Sequence, residues 1–503
     1  MPTDFAIRWD DFRGGDYGQA DPSRADKNQF SGRNVKVYRT GLLGPRAGFK
    51  QITVTGLPNH PLVDGPVGFD VHGDKLLIVL DDIYEFPMTN PAAATGYATY
   101  PSSASSQVQF VKGNGVLYSL YDGVLYKHVS FGTAPITTQA PFSIIVRWGQ
   151  WMVAVDRDTP WRVWYNKVDA AGADFDTWPA NNYYDVGNEH AITTLAPIYN
   201  TLFAGKKSGW WSISGVLGNQ ASVRELVVGN GPVEQRTSSV TTDNRVVYWP
   251  TQQVPAWFNG ERVYLDERQR LDVRALPFLG QTCIVTPTAR TLILAGEDSA
   301  IDGTDWLLWK DRAWTRHFTP FNLGALAPAD VTDAADMPDG VVFAVARPDQ
   351  VGLAPVILGF WHDSDRPAHS DDTWAAPVDY GDTDLVTGTF TLPAWFDGQG
   401  RQVRVRSVVV QFKKFASGIA DTYNQMRCAV DALGQYGGGT VSSPPEPWVE
   451  ACEAGTATGK SDSVRFNFGE QGYANGFQVR FPALRGVAIQ EVVALVDLTS
   501  TRT

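Results

Sequence analysis

Short strands recur along the middle of the chain at intervals of roughly forty residues, and this repeat restricts the fold more than any other feature. Between 66 and 362 the same order returns: an apolar strand, a turn, a second apolar strand, a polar turn and an aromatic strand. The first strands of the sets are expected to begin at 67, 108, 143, 192, 240, 283 and 331, with spacings of 41, 35, 49, 48, 43 and 48 residues. Three or four short strands at such a period are typical of propeller blades.

We therefore predict an all-β protein with a β-propeller of about six to seven blades. One blade leaves both faces of its sheet uncovered, whereas blades stacked around an axis cover each other and leave only short edges. Asp122-Gly123 and Asn259-Gly260 are hairpin signals inside the sets. The repeats have no Gly-His and Trp-Asp signature, so a WD40 array is not expected. A tandem of β-sandwiches is the competing architecture.

The composition agrees with strands and turns and excludes several classes of protein. The chain has 48 Gly, 31 Pro and 17 Trp in 503 residues, a mixture that favours strands over helices. Its net charge of −12 argues against binding of duplex DNA through one basic face, although DNA can slide past an acidic wall. Three cysteines without a Cys-x-x-Cys pair predict neither a disulfide framework nor a structural zinc site.

No segment reads as a membrane anchor or an export signal. The longest apolar runs, such as Leu76–Leu80 and Val408–Val410, fall far short of the ~20 residues of a membrane helix. Residues 1–51 contain no apolar core of a signal peptide. We expect a protein made in a cytoplasm, without a membrane span.

Residues 1–60 differ from the rest. Nine Lys and Arg stand against six Asp in residues 1–50, and only Asn34–Tyr38 alternates as a strand does. Gly14-Gly15 would break a helix. We predict an extended N-terminal arm that docks on a neighbouring domain or subunit, with a mobile tail as the alternative.

An acidic stretch precedes a second kind of strand. Residues 330–385 contain twelve Asp, no Glu, and only Arg347 and Arg366 as cations. We place a boundary near 370, with the propeller over 61–370 and a C-terminal domain over 371–503. The longer alternating strands of that domain, such as Gln402–Lys413 and Ile489–Leu498, predict a β-sandwich or jelly roll.

Chemical motifs are weak. Gly455–Ser461 is one residue short of a phosphate loop and is followed by an expected strand instead of a helix. His362, His369 and the aspartates up to Asp372 suggest a structural cation, but a solvated acidic linker explains them more simply. The tryptophan clusters suit packing between blades or, alternatively, a sugar-binding platform. We predict no catalytic residue, no cofactor, no metal and no enzyme; a propeller glycan hydrolase is the enzymatic alternative.

Three segments resemble bacteriophage tail proteins. Asn34–Phe49 (NVKVYRTGLLGPRAGF) resembles an opening that leads into a propeller in tail nozzle and hub proteins, and Gly388–Leu392 with Val403–Val410 resembles their closing sandwich. The resemblance implies a structural virion protein, assembled in the host cytoplasm, that forms a ring, often six-fold, around the DNA exit channel. The implied partners are copies of itself, other tail proteins, and DNA in passage without specific binding. A tail-tip receptor-binding or glycan-binding minor tail protein is the alternative.

Two sets of residues follow from this interpretation. We expect the basic arm to clamp an acidic neighbour by charge complementarity, through Arg33, Lys36, Tyr38, Arg39, Arg46 and Phe49. On charge alone, we expect Asp330, Asp333, Asp336 and Asp339 to face the channel.

Overall fold

The chain is all-β. A computed structural model describes residues 4–13, 15–16, 29–33, 35–37, 41–45, 50–52, 57, 68–73, 75–80, 82–87, 95–98, 108–129, 132–215, 221–235, 238–240, 244–248, 250, 256–265, 284–287, 291–298, 303–310, 313–320, 329–336, 341–348, 356–361, 388–414, 425–433, 463–468, 473–485 and 487–499. Between 284 and 361 the description is of the backbone. These residues form 42 strands. None of them lies in a helix that could cross a membrane. The predicted fold class, all-β, is confirmed.

Six short strands come from the first 52 residues. They are β1 (Asp4–Trp9), β2 (Gly15–Asp16), β3 (Gln29–Arg33), β4 (Val35–Val37), β5 (Leu43–Pro45) and β6 (Lys50–Ile52). The sequence predicts only the strand that corresponds to β4; it does not predict β1 or β3, and β2, β5 and β6 have two or three residues and no periodicity of their own. These strands form because they pair with other strands, most of which lie far along the chain.

Four antiparallel four-stranded sheets follow in chain order. Sheet 1 contains β7 (Gly68–His72), β8 (Lys75–Val79), β9 (Ile83–Pro87) and β10 (Thr95–Ala98). Sheet 2 contains β11 (Gln109–Gly113), β12 (Val116–Tyr121), β13 (Val124–Val129) and β14 (Gly132–Pro135). Sheet 3 contains β15 (Phe142–Trp148), β16 (Trp151–Asp156), β17 (Arg162–Tyr165) and β20 (Tyr183–Asp185), with the separate hairpin of β18 (Lys167–Asp169) and β19 (Gly172–Asp174). Sheet 4 contains β21 (Ile192–Ile198), β22 (Thr201–Lys206), β23 (Gly209–Ser214) and β24 (Ser222–Val228).

Three more four-stranded sheets complete this region. Sheet 5 contains β25 (Ser238–Val240), β26 (Val246–Tyr248), β27 (Ala256–Phe258) and β28 (Val263–Leu265). Sheet 6 contains β29 (Ile284–Pro287), β30 (Thr291–Asp298), β31 (Gly303–Lys310) and β32 (Ala313–Pro320). Sheet 7 contains β33 (Ala329–Asp336), β34 (Val341–Pro348) and β35 (Val356–Trp361), and its fourth strand is β6.

The first strands of the sheets meet around a common centre. β11 contacts β15, β15 contacts β21, β21 contacts β25, β25 contacts β29, β29 contacts β33, and β33 returns to β7. Sheets 1 and 2 share a buried apolar layer that includes Leu77 and Leu117. Neighbouring sheets that cover each other in a closed order form a propeller.

Turn chemistry sets the hairpins inside the sheets. Asp122 and Gly123, which join β12 to β13, have φ values of 45° and 81°. Positive φ at both central residues is the conformation that Asp-Gly favours in a two-residue hairpin. Asn259 instead accepts hydrogen bonds at its Oδ1 from the backbone N–H groups of Glu261 and Arg262, in a four-residue turn.

Two six-stranded sheets combine the beginning of the chain with residues 388–498. The later strands are β36 (Gly388–Thr391), β37 (Trp395–Phe396), β38 (Val403–Lys414), β39 (Gln425–Leu433), β40 (Ser463–Asn467), β41 (Gly476–Arg485) and β42 (Val487–Leu498). Sheet 8 has the order β4-β5-β42-β38-β40, and β1 also pairs with β42. Sheet 9 has the order β2-β3-β36-β41-β37, and β39 also pairs with β41.

Sheets 8 and 9 share one apolar core, and the first 45 residues supply a large part of it. Those residues contribute Ile7, Trp9, Phe12, Phe30, Val35, Val37 and Leu43, all buried. Trp9 meets the edge of Phe477 at 6.3 Å, and Phe390 stacks on Phe481 at 4.5 Å. β2, β3 and β4 also lie against β32 of sheet 6. The predicted arm therefore docks within its own chain.

Candidate functional site

An open cavity of about 610 Å³ lies where the first strands of five sheets meet. Its polar lining includes Asp70 on β7, Gln109 and Lys112 on β11, and Arg147 on β15. Apolar side chains such as Ile145 and Leu195 complete the wall. The volume lies in the range of small-molecule sites, and the place is the axis of the propeller.

Two glutamine side chains bond to the backbone of first strands at the wall of this cavity, one from β11 and one from the segment just before β25. Gln109 on β11 donates from Nε2 to the carbonyl oxygen of Ser143 at 3.0 Å and accepts at Oε1 from the N–H of Ile145 at 3.1 Å. Gln235 makes the equivalent pair of bonds with the N–H and carbonyl of Leu195, at 2.8 and 3.3 Å. Each amide satisfies backbone groups on the inner edge of a strand, where no further strand can pair.

Arg147 is also held by the backbone of the cavity wall. Its Nη1 donates to the carbonyl oxygen of Lys112 at 3.2 Å, and its Nε donates to that of Gly149 at 3.1 Å. The guanidinium lies 6.0 Å from the centre of the Phe175 ring. Two cations and the carboxylate of Asp70 therefore give the cavity mixed charge.

A buried polar cluster connects sheets 1 and 2. Nε2 of His128 on β13 lies 2.8 Å from Oγ of Ser119 on β12, and both side chains are buried. The Tyr97 ring of β10 lies between the rings of His72 and His128, with centroids 6.3 and 6.1 Å away. Burial, with a smaller contribution from His72, lowers the pKa of His128 to about 4. The serine and the neutral histidine thus form a hydrogen-bonded pair that is buried from solvent.

Asp156 and Lys206 are two further buried ionisable residues with structural partners. Asp156 ends β16, where its carboxylate accepts from the N–H groups of Asp158 and Thr159 and from Nε1 of Trp164. Lys206 ends β22, donates from Nζ to the carbonyl of Val186, and lies 4.7 Å from the Trp211 ring centre. Burial lowers the pKa of Lys206. These contacts tie strand ends and neighbouring sheets together.

Sheet 8 contains a buried carboxylate between two arginines. Asp497 on β42 accepts from Arg404 at 2.9 Å and from Arg406 at 2.6 Å, both on β38. A β-bulge between Val405 and Ser407 brings the two arginines to the same carboxylate. Burial alone would raise the pKa of Asp497, but the two arginines lower it below its usual value.

The tryptophans whose side chains are described serve mainly as packing. Trp148, Trp164, Trp178, Trp210 and Trp257 are all buried. Trp210 stacks on Phe258 at 4.5 Å, which joins sheets 4 and 5. Among the described aromatic residues Tyr199 is the most exposed, at 77%, and it lies at a turn with φ of 49°. Its hydroxyl accepts from Nδ2 of Asn244 at 2.5 Å.

The residues expected to mediate assembly and line the channel are only partly placed. Arg33 lies on β3 and Lys36 on β4, an end strand of sheet 8. Asp330, Asp333 and Asp336 lie on β33, one of the strands that surround the propeller axis. Tyr38, Arg39, Arg46, Phe49 and Asp339, like His362–Asp372 and Gly455–Ser461, lie outside the described residues. Both roles stay predictions.

Sequence reasoning missed the bridging glutamines and the Asp497 pair. Each depends on a partner 34 to 93 residues away along the chain, and no local motif marks such a residue. The sequence offers one indication of these contacts, namely that Gln109 is a polar residue at the start of a first strand. Among the described residues, no three His, Cys, Asp or Glu side chains converge as a metal site would require.

Comparison with known proteins gives a likeness in fold alone. No protein family matches the sequence, and no curated protein is similar to it. Among solved structures, U3-55K is similar over 63% of this chain and 100% of its own, with 10% identity and a TM-score of 0.41. BamB from Moraxella catarrhalis is similar over 63% and 99%, with 11% identity and a TM-score of 0.37. The extracellular domain of the hybrid two-component system BT4673 from B. thetaiotaomicron is similar over 91% and 62%, with 9% identity and a TM-score of 0.44.

Proposed function

We propose that this chain is a structural component of a bacteriophage tail that forms a ring with copies of itself around the DNA exit channel. The proposal rests on one observation: strands from the beginning of the chain pair in the same sheets with strands from its later part. β1 to β5 share two sheets with strands of residues 388–498, and β6 completes sheet 7. Separating these segments requires breaking rows of backbone hydrogen bonds and exposing a shared core. Such a body suits a part that must keep its shape while DNA passes.

We further propose that the seven four-stranded sheets are seven blades and that sheets 8 and 9 are the two layers of a β-sandwich. The order of contacts among the first strands, together with the apolar layer shared by sheets 1 and 2, supports seven blades. The common apolar core of sheets 8 and 9 supports the sandwich. In this architecture β6 fastens the last blade with an early strand, which closes the ring of blades.

The buried polar residues favour a structural role over a catalytic one. Asp156 binds a turn, and Lys206 binds a backbone carbonyl beside the neighbouring sheet. Ser119 bonds to His128 on the adjacent strand, and Asp497 bonds to two arginines on the adjacent strand. The placement of β33 beside the propeller axis does not by itself bring its aspartates to a channel between protomers. Their role at such a channel is part of the proposal.

The test combines the mass of the purified full chain in solution with its position in the virus that encodes it. Light scattering should give a discrete multiple of 55.1 kDa, and electron microscopy should show a ring with a central opening. Gold-labelled antibody against the chain should mark the tail of intact particles. A monomer at all concentrations together with unlabelled particles would reject the proposal. The full chain is required, because residues 4–45 contribute seven buried side chains to the core of sheets 8 and 9.

Tyr199 favours one second candidate, a receptor-binding tail protein. A tyrosine ring that is 77% exposed on a turn of positive φ offers a flat face for stacking on a sugar. Binding to a glycan array that is lost in Tyr199→Ala, but kept in Tyr264→Ala, would support this candidate. Tyr264 is an exposed tyrosine on β28.

A further inference from the structure

The outward face of sheet 8 carries an ordered pattern across four adjacent strands. On β42, Val492, Ala494 and Val496 belong to the core, so Val493 and Leu495 point the other way. Pairing aligns Arg8 of β1 with Val493, Val493 with Val409 of β38, and Val409 with Arg465 of β40. Two half-buried valines therefore lie between two exposed arginines in one row.

The neighbouring rows continue this pattern. Ala6, Leu495, Ser407 and Asn467 form the next row, so small and apolar side chains fill the centre. Arg465 donates from Nε to Oγ of Ser407 at 3.1 Å. Beyond this row, Arg404 and Arg406 both donate to the carboxylate of Asp497. We name these residues the arginine face: Ala6, Arg8, Arg404, Arg406, Ser407, Val409, Arg465, Val493 and Leu495.

The arginine face has the chemistry of a protein contact. Interfaces combine an apolar centre with a polar rim, and arginine is enriched in them. The face carries four arginines; Arg8 pairs with Glu491, and Arg404 and Arg406 pair with Asp497. Pairing also places Asp4 of β1 opposite Asp497, so the four arginines stand against three carboxylates and the face keeps a small positive excess on a chain whose net charge is −12. The complementary surface is an acidic one, and the remainder of this chain supplies it.

Symmetry limits how two copies can meet. A two-fold contact of the arginine face with itself would set its positive excess against the same excess on the other copy, which is less favourable than a contact with an acidic surface. A contact with a different, acidic surface of the next copy is heterologous, and heterologous contacts between identical subunits generate rings when the rotation closes. The charge pattern thus selects the kind of contact that a ring requires.

We propose that the arginine face is a contact between protomers and that it binds an acidic surface on the propeller of a second copy. The inference rests on the proposed ring and identifies the surface that builds it. The proposed contact surface consists of residues of β1, β38, β40 and β42, in addition to the arm residues expected from the sequence.

The test reverses charge at both ends of the central row. In Arg8→Glu/Arg465→Glu, the association constant measured by light scattering should fall by at least about tenfold, because two attractive charges become repulsive. The matched control is Arg224→Glu/Arg262→Glu, which makes the same charge change at exposed propeller positions and should keep the ring. Unchanged thermal unfolding of both variants shows that the fold is intact.

A second measurement does not depend on the stability of these variants. A photo-crosslinking amino acid at the exposed residue Ala6 should join the arginine face to an acidic propeller peptide of another copy. The same probe at the exposed residue Ser222 serves as the control.

The outcomes separate this inference from the proposed function. A ring that persists in the double variant, with no crosslink from Ala6, overturns the inference and leaves the ring. A wild-type chain that stays monomeric overturns both. If the wild-type chain is monomeric and binds duplex DNA at low salt, and the double variant does not, the face is a nucleic-acid contact and the inference is wrong.

Discussion

At the scale of single residues, some side chains make hydrogen bonds to strands that a neighbouring strand makes elsewhere in the molecule. Gln109 presents a donor and an acceptor to β15 in the way that a neighbouring strand would. Ser119 and His128 satisfy each other between strands where water is excluded. Such groups hold neighbouring sheets together only while every partner is present, because an unsatisfied buried polar group is costly.

Replacing Gln109 with alanine should destabilise the protein by about 1–3 kcal/mol. The substitution leaves the carbonyl of Ser143 and the N–H of Ile145 without their side-chain partner at the cavity wall. Urea denaturation measures the loss as a lower midpoint. Gln150→Ala, in the exposed turn after β15, is the control and should change the midpoint little. Equal midpoints for the two variants would contradict the bridging role.

His128 should make stability depend on pH. Its pKa is about 4 in the fold and about 6.5 when unfolded, so the unfolded chain binds the proton more tightly. Stability is then complete above pH 6.5 and falls as the pH drops towards 4, by up to about 3 kcal/mol. His128→Gln should reduce the difference in unfolding midpoint between pH 7.5 and 4.5. His190→Gln, at an exposed position, should retain it; a retained difference in both variants would refute the assignment.

At the scale of elements, the closure of sheet 7 depends on three residues. β6 pairs with β35 through Lys50–Gly359, Gln51–Leu358 and Ile52–Ile357. It is the end strand of that sheet, and it joins a sequence position near 50 to one near 358. A short end strand is sensitive to a change in a single backbone hydrogen bond.

Proline at Gln51 and proline at Ile52 should differ in their effect on stability. In an antiparallel pair, consecutive residues direct their N–H groups alternately towards and away from the partner strand. Proline is tolerated where the N–H faces solvent and removes a bond where it faces the sheet. One variant should unfold earlier, by about 1–3 kcal/mol, and be cleaved faster by protease near sheet 7. The other acts as its control. Two variants that both behave as wild type would show that β6 does not fasten the sheet.

At the scale of the whole molecule, sheets 8 and 9 exist only when distant parts of the chain come together. β1 pairs with β42 from Asp4–Asp497 to Trp9–Val492. Seven buried apolar residues of the first 45 belong to the shared core. The burial of each such side chain contributes about 1.5–3 kcal/mol. Together they amount to at least about 10 kcal/mol, as much as the net stability of many domains.

Deleting residues 1–45 should therefore make the chain insoluble or unfold residues 388–499. Solubility and limited proteolysis of the C-terminal region measure the effect. Coexpression of residues 1–48 as a separate polypeptide should restore a soluble complex, and the same polypeptide with Trp9→Asp and Phe30→Asp should not. A stable, soluble deletion with an unchanged unfolding midpoint would contradict this account.

Sequence periodicity predicts most strands because apolar residues repeat where the sheets have faces to cover. The first strands expected at 67, 108, 143 and 192 begin in the structure at Gly68, Gln109, Phe142 and Ile192. Periodicity does not reveal β2, β5 or β6, whose two or three residues depend on a partner far along the chain. Nor does it reveal Arg406 with Asp497, 91 residues apart. The assembly and channel residues depend on neighbours outside one chain, so they stay predictions.

The pairing of β1 with β42 sets an order in time. The two strands are separated by about 480 residues, and ribosomes add about 5–20 residues each second. On the order of a minute therefore passes between synthesis of β1 and synthesis of its partner. During that interval Trp9, Phe12 and Phe30 have no core to enter, while sheets 1 to 6 can already form. A chaperone that binds nascent apolar segments would find its target in the first 45 residues.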